Sequence, residues 1–465
     1  MIAPAGEKHA PPGRGDRVLV IGLGVSGRAA ALRLLRLGAD VTVVDEADDP
    51  LLRERAAELE GARVLLGPGE GADAVGSADL VVTSPGVPEA APALVEARRA
   101  GVPVWSEVEL AYRLARAPIL GVTGTNGKTT TARMLAASLA AAGLRAAAAG
   151  NIGRPLVDAA VEDHDVIVAE LSSFQLRHIV DFRAPVAVVL NVAEDHLDWH
   201  GSFDRYVDAK ARLFANQEPG DVAIHHDDPA STLVATGTRG RRMAFSAASV
   251  PGGGAGVDPD GWIVVPEGRV VEAARLRGRG RASLANAIAA AAAAIAFGAA
   301  PEPVGEALAD FEPLPHRMEP VAEVRGVGYV NDSKATNPHA VLAALDGLSG
   351  VVLIAGGRNK GLDLSPITGA AGSLKAVVAI GESAVEIERA FEGTAVPVER
   401  AASMEDAVTR AAAAAAPSGV VLLSPGCASF DMFADYKARG EAFRAAVKRI
   451  EASAGEPPAR EEGTA

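Results

Sequence analysis

The sequence is poor in several residue types, and each shortage excludes something. There is one cysteine, Cys427, among 465 residues. An intrachain disulfide is therefore impossible, and no CxxC metal-binding pair can exist. A reducing cytoplasm is the expected compartment. Aromatic residues make up only 4% of the chain. Basic residues are also in the minority, 45 against 59 acidic ones, giving a formal net charge of −14. A general nucleic-acid binder shows a basic face, so no nucleic acid is expected as a partner. Any phosphate must be held by a local site and not by the overall field. No apolar stretch reaches the ~20 residues of a membrane span, so no membrane insertion is expected. The longest candidate, Ala287 to Ala300, is mostly alanine and ends at Pro301. Met1 to Asp16 lacks the apolar core of a signal peptide and reads as a loose tail.

What remains is the composition of a folded protein, 49% hydrophobic and 22% charged. At roughly 150 residues per domain, the length suggests about three domains. Short runs rich in Val, Ile and Leu alternate with alanine-rich helical stretches. Arg17–Ile21, Val41–Val44, Leu80–Thr83, Ile119–Thr123, Val166–Ala169, Val186–Leu190, Val351–Ala355, Ala376–Ile380 and Val420–Leu423 read as buried strands. Continuous apolar strands separated by helices predict α/β architecture with parallel sheets covered on both faces. A helix over Ser106–Ala117 precedes a new strand at Ile119, and Pro313-Leu314-Pro315 forms a break. These features divide the chain into residues 1–106, 107–313 and 314–465. Gly240–Gly268 reads as loops or an irregular β-excursion. The stretch after Ala454 reads as a polar tail.

Two glycine-rich turns join a strand to a helix. The first is Gly22-Leu23-Gly24-Val25-Ser26-Gly27, with Asp45 ending the next strand where a ribose-binding acid would stand. By itself this fits a nicotinamide dehydrogenase or a turn that binds nothing. The second is Gly121-Val122-Thr123-Gly124-Thr125-Asn126-Gly127-Lys128-Thr129-Thr130. Its spacing departs from GxxxxGK[ST], yet the chemistry is that of a phosphate loop. Backbone N–H groups at a helix N-terminus can cradle phosphates, Lys128 can reach the β- and γ-phosphates, and the Thr129 hydroxyl can ligate Mg²⁺. Glu170 ends the strand Val166–Ala169, a suitable place for a carboxylate near a phosphate-bound Mg²⁺. Downstream lie His196 and His200 in Asn191–His200, then Lys210. An HExxH zinc motif is absent, since Leu197 follows His196, and His200 reads as structural.

Thr123–Thr130 resembles the ATP loop of the Mur ligase family, which also includes folylpolyglutamate synthases. Members activate a carboxylate as an acyl phosphate with ATP, and an amine then forms the amide. The resemblance covers nearly the whole chain. It implies an N-terminal Rossmann-like domain, a central P-loop-type ATPase domain with a parallel sheet, and a C-terminal Rossmann-like domain. It also implies ATP contacts from Gly124, Thr125, Asn126, Gly127, Lys128, Thr129, Thr130, Asn286, Arg317 and Asp332. Thr129, Glu170, His196 and Lys210 would hold Mg²⁺, with Lys210 carbamylated by CO₂. Lys128, His196, Lys210 and Lys334 would be the catalytic group.

Asn331-Asp332-Ser333-Lys334-Ala335-Thr336-Asn337, with Leu171-Ser172-Ser173-Phe174-Gln175-Leu176, is similar to the members that add D-glutamate to UDP-N-acetylmuramoyl-L-alanine. Those members act in the cytoplasmic steps of peptidoglycan synthesis. On this likeness Val25, Ser26, Asp45, Ser84 and Asn151 contact the UDP substrate. Thr336, Lys360, Ser429, Phe430 and Tyr436 hold D-glutamate. A monomer is expected. Two departures stand out. Ala282 and Ser283 replace the usual His-Asn before Asn286, and Arg358 and Asn359 stand where acidic residues are common. Another amide ligase of the family, an NAD-dependent oxidoreductase and a non-catalytic nucleotide-binding protein are the competing readings.

Overall fold

The computed structural model describes residues 10–455 apart from Ile152 and Arg279. The described chain forms two compact units. The first comprises Met1–Val192, Trp199–Leu276 and Ala285–Phe311; the second comprises Ala193–Asp198, Arg277–Leu284 and Glu312–Ala465.

The first unit contains two parallel sheets. One is built from β1 (Arg17–Ile21), β2 (Asp40–Asp45), β3 (Arg63–Leu66), β4 (Leu80–Thr83) and β5 (Val104–Ser106), in the order β3-β2-β1-β4-β5. The other has β6 (Ile119–Thr123), β7 (Ala146–Gly150), β8 (Val166–Glu170), β9 (Val186–Val189), β10 (Val222–His226) and β11 (Arg241–Phe245), in the order β11-β10-β9-β6-β8-β7. All residues of β6, β8 and β9 are buried. That explains their unbroken apolar sequences, because helices cover both faces of such a sheet. The expected α/β class is what the structure contains.

The second unit holds a six-stranded sheet. Its strands are β15 (Glu319–Val324), β16 (Val327–Asn331), β17 (Val351–Gly356), β18 (Leu374–Ile380), β19 (Val398–Ala401) and β20 (Gly419–Leu423), in the order β15-β16-β20-β17-β18-β19. It is parallel except for the edge hairpin β15–β16.

The Gly- and Pro-rich stretch forms the β-excursion that was one of its two expected forms, a small antiparallel sheet of β12 (Gly256–Val257), β13 (Trp262–Val265) and β14 (Gly268–Glu272). Two details differ from the sequence reading. Residues 1–9 of the expected loose tail lie outside the described residues, whereas Pro12 is buried and the chain is tied down at Asp16. Asp16 accepts from the Gly13 N–H at 2.8 Å, and its carbonyl accepts from the Asp40 N–H at 2.9 Å. The alanine run belongs to an 18-residue helix, Gly280–Phe297, which by length and composition is long enough to cross a membrane. Ala287–Ile295 of that helix are buried within the fold.

Candidate active site

The phosphate loop leaves β6 and runs into helix Lys128–Ala141. Gly127 has φ +84°, and a Cβ there would stand 2.3 Å from the Asn286 Oδ1. Only glycine fits both the left-handed backbone and that contact. Lys128 folds back over its loop, donating to the carbonyls of Gly124 at 3.0 Å and Thr125 at 2.8 Å. Asn191, just past β9, clamps the same loop from the side. Its Oδ1 accepts from the Asn126 N–H at 2.8 Å, and its carbonyl accepts from the Thr125 N–H at 2.9 Å. Asn286 lies against Gly127, with its Oδ1 accepting from the Thr131 hydroxyl at 3.2 Å.

Lys210 reaches this loop from helix Phe203–Ala211. It is 1% exposed, and its Nζ donates to the Gly124 carbonyl at 2.8 Å. The Nζ also stands 4.4 Å over the Tyr206 ring, whose hydroxyl lies 3.0 Å from the Thr125 hydroxyl. Tyr206 and Lys210 are four residues apart and so share a helix face. Glu170, at the end of β8, is paired in register with Val122 of β6, which places it at the root of the loop. Its Oε1 accepts from Asn151 Nδ2 at 2.8 Å. Its Oε2 is buried with no hydrogen-bond partner among the described residues. A buried carboxylate oxygen left this way is costly unless a cation or donor meets it.

The donor set suits Mg²⁺. Hard oxygen ligands in small number, with phosphates completing the shell, are its usual arrangement. Among the described residues no cluster of three or more His, Cys, Asp or Glu forms a metal cage. The structure brings Glu170 and Lys210 to the phosphate loop that carries Thr129. His196 instead lies in the Ala193–Asp198 segment of the second unit. His200 is structural, as expected. It is buried, bonds the Ser173 hydroxyl through Nε2 at 2.9 Å, and stacks on Phe174.

The first glycine-rich turn opens on a cavity of about 460 Å³ lined by Gly22, Val25, Ser26, Asp45, Glu46 and Ser84, among others. Four of the five expected UDP contacts meet there. Asn151 does not; it sits with Glu170. Asp45 is already engaged, accepting from the Leu23 N–H at 2.7 Å and the Ala47 N–H at 3.0 Å. The Ser84 hydroxyl donates to the Gly22 carbonyl at 2.9 Å. Both residues therefore shape the turn as well as lining the cavity.

In the second unit three loops follow adjacent strands β16, β20 and β17. They are joined by backbone bonds from the Gly426 N–H to the Ala335 carbonyl, 2.9 Å, and between Arg358 and Ala428, 2.9 and 3.0 Å. This groups Lys334 and Thr336 with Ser429 and Lys360 at the carboxyl ends of the strands, where open α/β sheets bind ligands. Lys334 stands 4.1 Å over the ring of Tyr436. Lys360 Nζ lies 3.6 Å from Asp195, which also accepts from Asn337 Nδ2 at 3.2 Å. Phe430 is exposed, whereas Ser429 is buried. Asp332 accepts from the Ser424 hydroxyl at 3.0 Å and the Met318 N–H at 3.1 Å. Burial pushes its carboxyl up to about 7, against those hydrogen bonds and nearby Arg317. Arg358 pairs with Glu382, and Asn359 donates to the Leu362 carbonyl and to Glu386. These two departures from the family pattern thus hold their own loop.

Three family profiles match the chain: the Mur ligase MurD-like N-terminal domain over residues 16–106, the Mur ligase middle domain over 122–294, and the glutamate ligase domain over 316–427. The chain belongs to the Mur ligase family. Relatives named UDP-N-acetylmuramoylalanine--D-glutamate ligase include one from Frankia casuarinae. It is 48% identical, with 93% of this chain and 94% of the relative covered. One from Anaeromyxobacter dehalogenans is 46% identical, covering 94% and 98%. Solved structures with the same fold include a pseudomurein peptide ligase type C from Methanothermus fervidus, with TM-score 0.59, 19% identity and coverage of 94% and 100%. MurF ligase from Thermotoga maritima, solved in complex with ADP, has TM-score 0.59, 18% identity and coverage of 94% and 96%.

Three side chains that the motifs did not single out hold these loops: Asn191 and Tyr206 bond the phosphate loop, and Asp195 meets Lys360 and Asn337. Each joins a loop far away in sequence. For Tyr206 the spacing of four residues before Lys210 was a signal.

Proposed function

We propose that this Mur ligase joins D-glutamate to UDP-N-acetylmuramoyl-L-alanine with ATP. The observation that carries the ATP half is the phosphate loop gripped by two lysines, Lys128 and Lys210, beside a buried Glu170 oxygen that has no partner among the described residues. The L-alanine carboxylate attacks the γ-phosphate, giving an acyl phosphate and ADP. The D-glutamate amine then attacks the acyl carbon, phosphate leaves, and the amine loses a proton.

Lys128 offsets the charge that builds on the transferring phosphoryl group. Gly124 to Thr130 supply the backbone cradle, with Asn286, Arg317 and Asp332 assigned to the rest of the nucleotide. Thr129, Glu170, His196 and Lys210 are the residues that would hold Mg²⁺, which when bound neutralises phosphate charge. In this reading Lys210 is carbamylated: its neutral amine adds to CO₂ and releases a proton. Burial supports this, because a buried ammonium is costly and the carbamate places an anion where a cation would be held.

Val25, Ser26, Asp45 and Ser84 are assigned to the UDP end and Asn151 to the muramoyl side. Thr336, Lys360, Ser429, Phe430 and Tyr436 are assigned to the two carboxylates and the chain of glutamate, with Lys334 as the further catalytic cation. A lysine and two hydroxyls on joined loops suit a dicarboxylate. The proposal divides the chain into residues 1–106 for UDP, 107–313 for ATP and metal, and 314–465 for the amino acid. It places a monomeric enzyme in the cytoplasm, without membrane insertion or nucleic acid. ADP release that requires both UDP-N-acetylmuramoyl-L-alanine and D-glutamate tests it; ADP release indifferent to both overturns it.

A further inference from the structure

Arg439 is a fully buried arginine in helix Tyr436–Gly455, 1% exposed. Among the described residues it forms no ion pair within 4.0 Å. Its donors go elsewhere: Nε to the Ser333 hydroxyl at 3.0 Å, Nη2 to the Ser333 carbonyl at 2.8 Å, and Nη1 to the Cys427 carbonyl at 3.0 Å. Ser333 passes the connection on, donating from its hydroxyl to the Tyr436 carbonyl at 2.8 Å. A third loop touches the same guanidinium. Gly357 has φ +137°, and a Cβ there would stand 2.2 Å from the Ala428 carbonyl and 3.2 Å from Arg439 Nη1.

One planar fork thus sits where the loops after β16, β20 and β17 meet. Those loops carry Lys334 and Thr336, Ser429 and Phe430, and Lys360. Burying an unpaired cation costs several kcal/mol as a rule. A neutral side chain could cap one carbonyl at far less cost. The guanidinium differs in two ways: it bonds two loops at fixed relative geometry, and it brings a positive charge beneath the pocket. Burial pulls its pKa down only to about 10, so it stays charged near neutral pH.

We propose that Arg439 is a positioning residue of the amino-acid pocket, setting the spacing of the Lys334, Ser429 and Lys360 loops and favouring a doubly charged dicarboxylate. This rests on the proposed function. It adds a residue that touches no substrate but governs how well the amino acid is held.

The test is steady-state kinetics of the full chain with Arg439→Lys and Arg439→Met, alongside thermal unfolding. The methionine variant is expected to raise KM for D-glutamate by about tenfold or more, the loss of at least one charged hydrogen bond. KM for ATP and for the UDP substrate should stay within about twofold. The lysine variant keeps the charge without the fork and should fall between; it carries the test alone if the methionine variant does not fold. An unchanged KM for D-glutamate in a folded variant overturns the proposal. So does a parallel rise in all three KM values with a lowered Tm, which marks a purely structural role. If the unsubstituted protein does not turn over D-glutamate, the proposed function fails instead. The criterion then passes to the amino acid that is turned over, and an equal KM for it in Arg439→Lys contradicts the positioning role.

Discussion

Lys210 Nζ donates a 2.8 Å hydrogen bond to the carbonyl of Gly124, although 86 residues separate them. The lysine is thus built into the wall of the phosphate loop and is not a solvated helix side chain. Two consequences follow for its chemistry. Its removal leaves the Gly124 carbonyl without that donor, and it removes the amine that the carbamate would occupy.

Lys210→Ala is therefore expected to lower kcat by about a thousandfold, the scale of losing a placed electrostatic group. Added formate or acetate should restore part of the rate by placing a carboxylate in the vacated space. Full activity in Lys210→Ala contradicts the assigned role.

Gly127→Ala tests the turn itself. The new Cβ would collide with Asn286 Oδ1 at 2.3 Å, in a backbone conformation at φ +84° that costs an alanine about 1–2 kcal/mol. A lower Tm and a raised KM for ATP are expected. Pairing it with Asn286→Ala should recover part of the loss, since only the collision is relieved. Thermal unfolding of the two variants measures this directly.

The strands that were legible in the sequence share one property. β6, β8 and β9 are buried on both faces, so their sequences are unbroken apolar runs. β7 was missed because Ala146–Gly150 reads Ala-Ala-Ala-Ala-Gly, a helix-forming composition held extended only by pairing with β8. For β12 to β14 the crowding of glycine and proline left loops and an irregular β-excursion both open, and the antiparallel pairing settles it as the latter. The phosphate loop was legible because its groups are consecutive. Arg439 was not, because Ser333 lies 106 residues away and no local pattern joins them.

Stability should depend on Glu107. Its carboxyl is 1% exposed, with Oε1 accepting from the Val157 N–H at 2.7 Å and Oε2 without a partner among the described residues. Burial pushes it up to about 7 from the usual 4.5. Between those values the folded state binds more proton than the unfolded chain. Stability from this group is therefore present at low pH and lost as pH rises towards 7, by up to about 3 kcal/mol. Denaturant unfolding at several pH values should show Glu107→Gln with a shallower decline than the unsubstituted protein. An identical decline in both contradicts the assignment.

Glu109 and Arg145 separate buried from exposed ion pairs. Glu109 is fully buried, pairs with Arg113 at 2.8 Å, and accepts from the N–H groups of Val180, Asp181 and Phe182. Glu109→Ala leaves three buried N–H donors without their acceptor, while Arg113 keeps Asp181 at 2.8 Å, and should cost about 3 kcal/mol. Arg145, exposed and paired with Asp163 and Asp165, should cost under about 1 kcal/mol when changed to alanine. Equal effects in urea unfolding would contradict the distinction.

The central claim is the identity of the amine that is joined. The most direct measurement is ADP release by the full chain with Mg²⁺, ATP and UDP-N-acetylmuramoyl-L-alanine, with D-glutamate and L-glutamate in parallel reactions. The account predicts rapid release with D-glutamate and little above background with L-glutamate. No turnover with D-glutamate while another amino acid is ligated would contradict it.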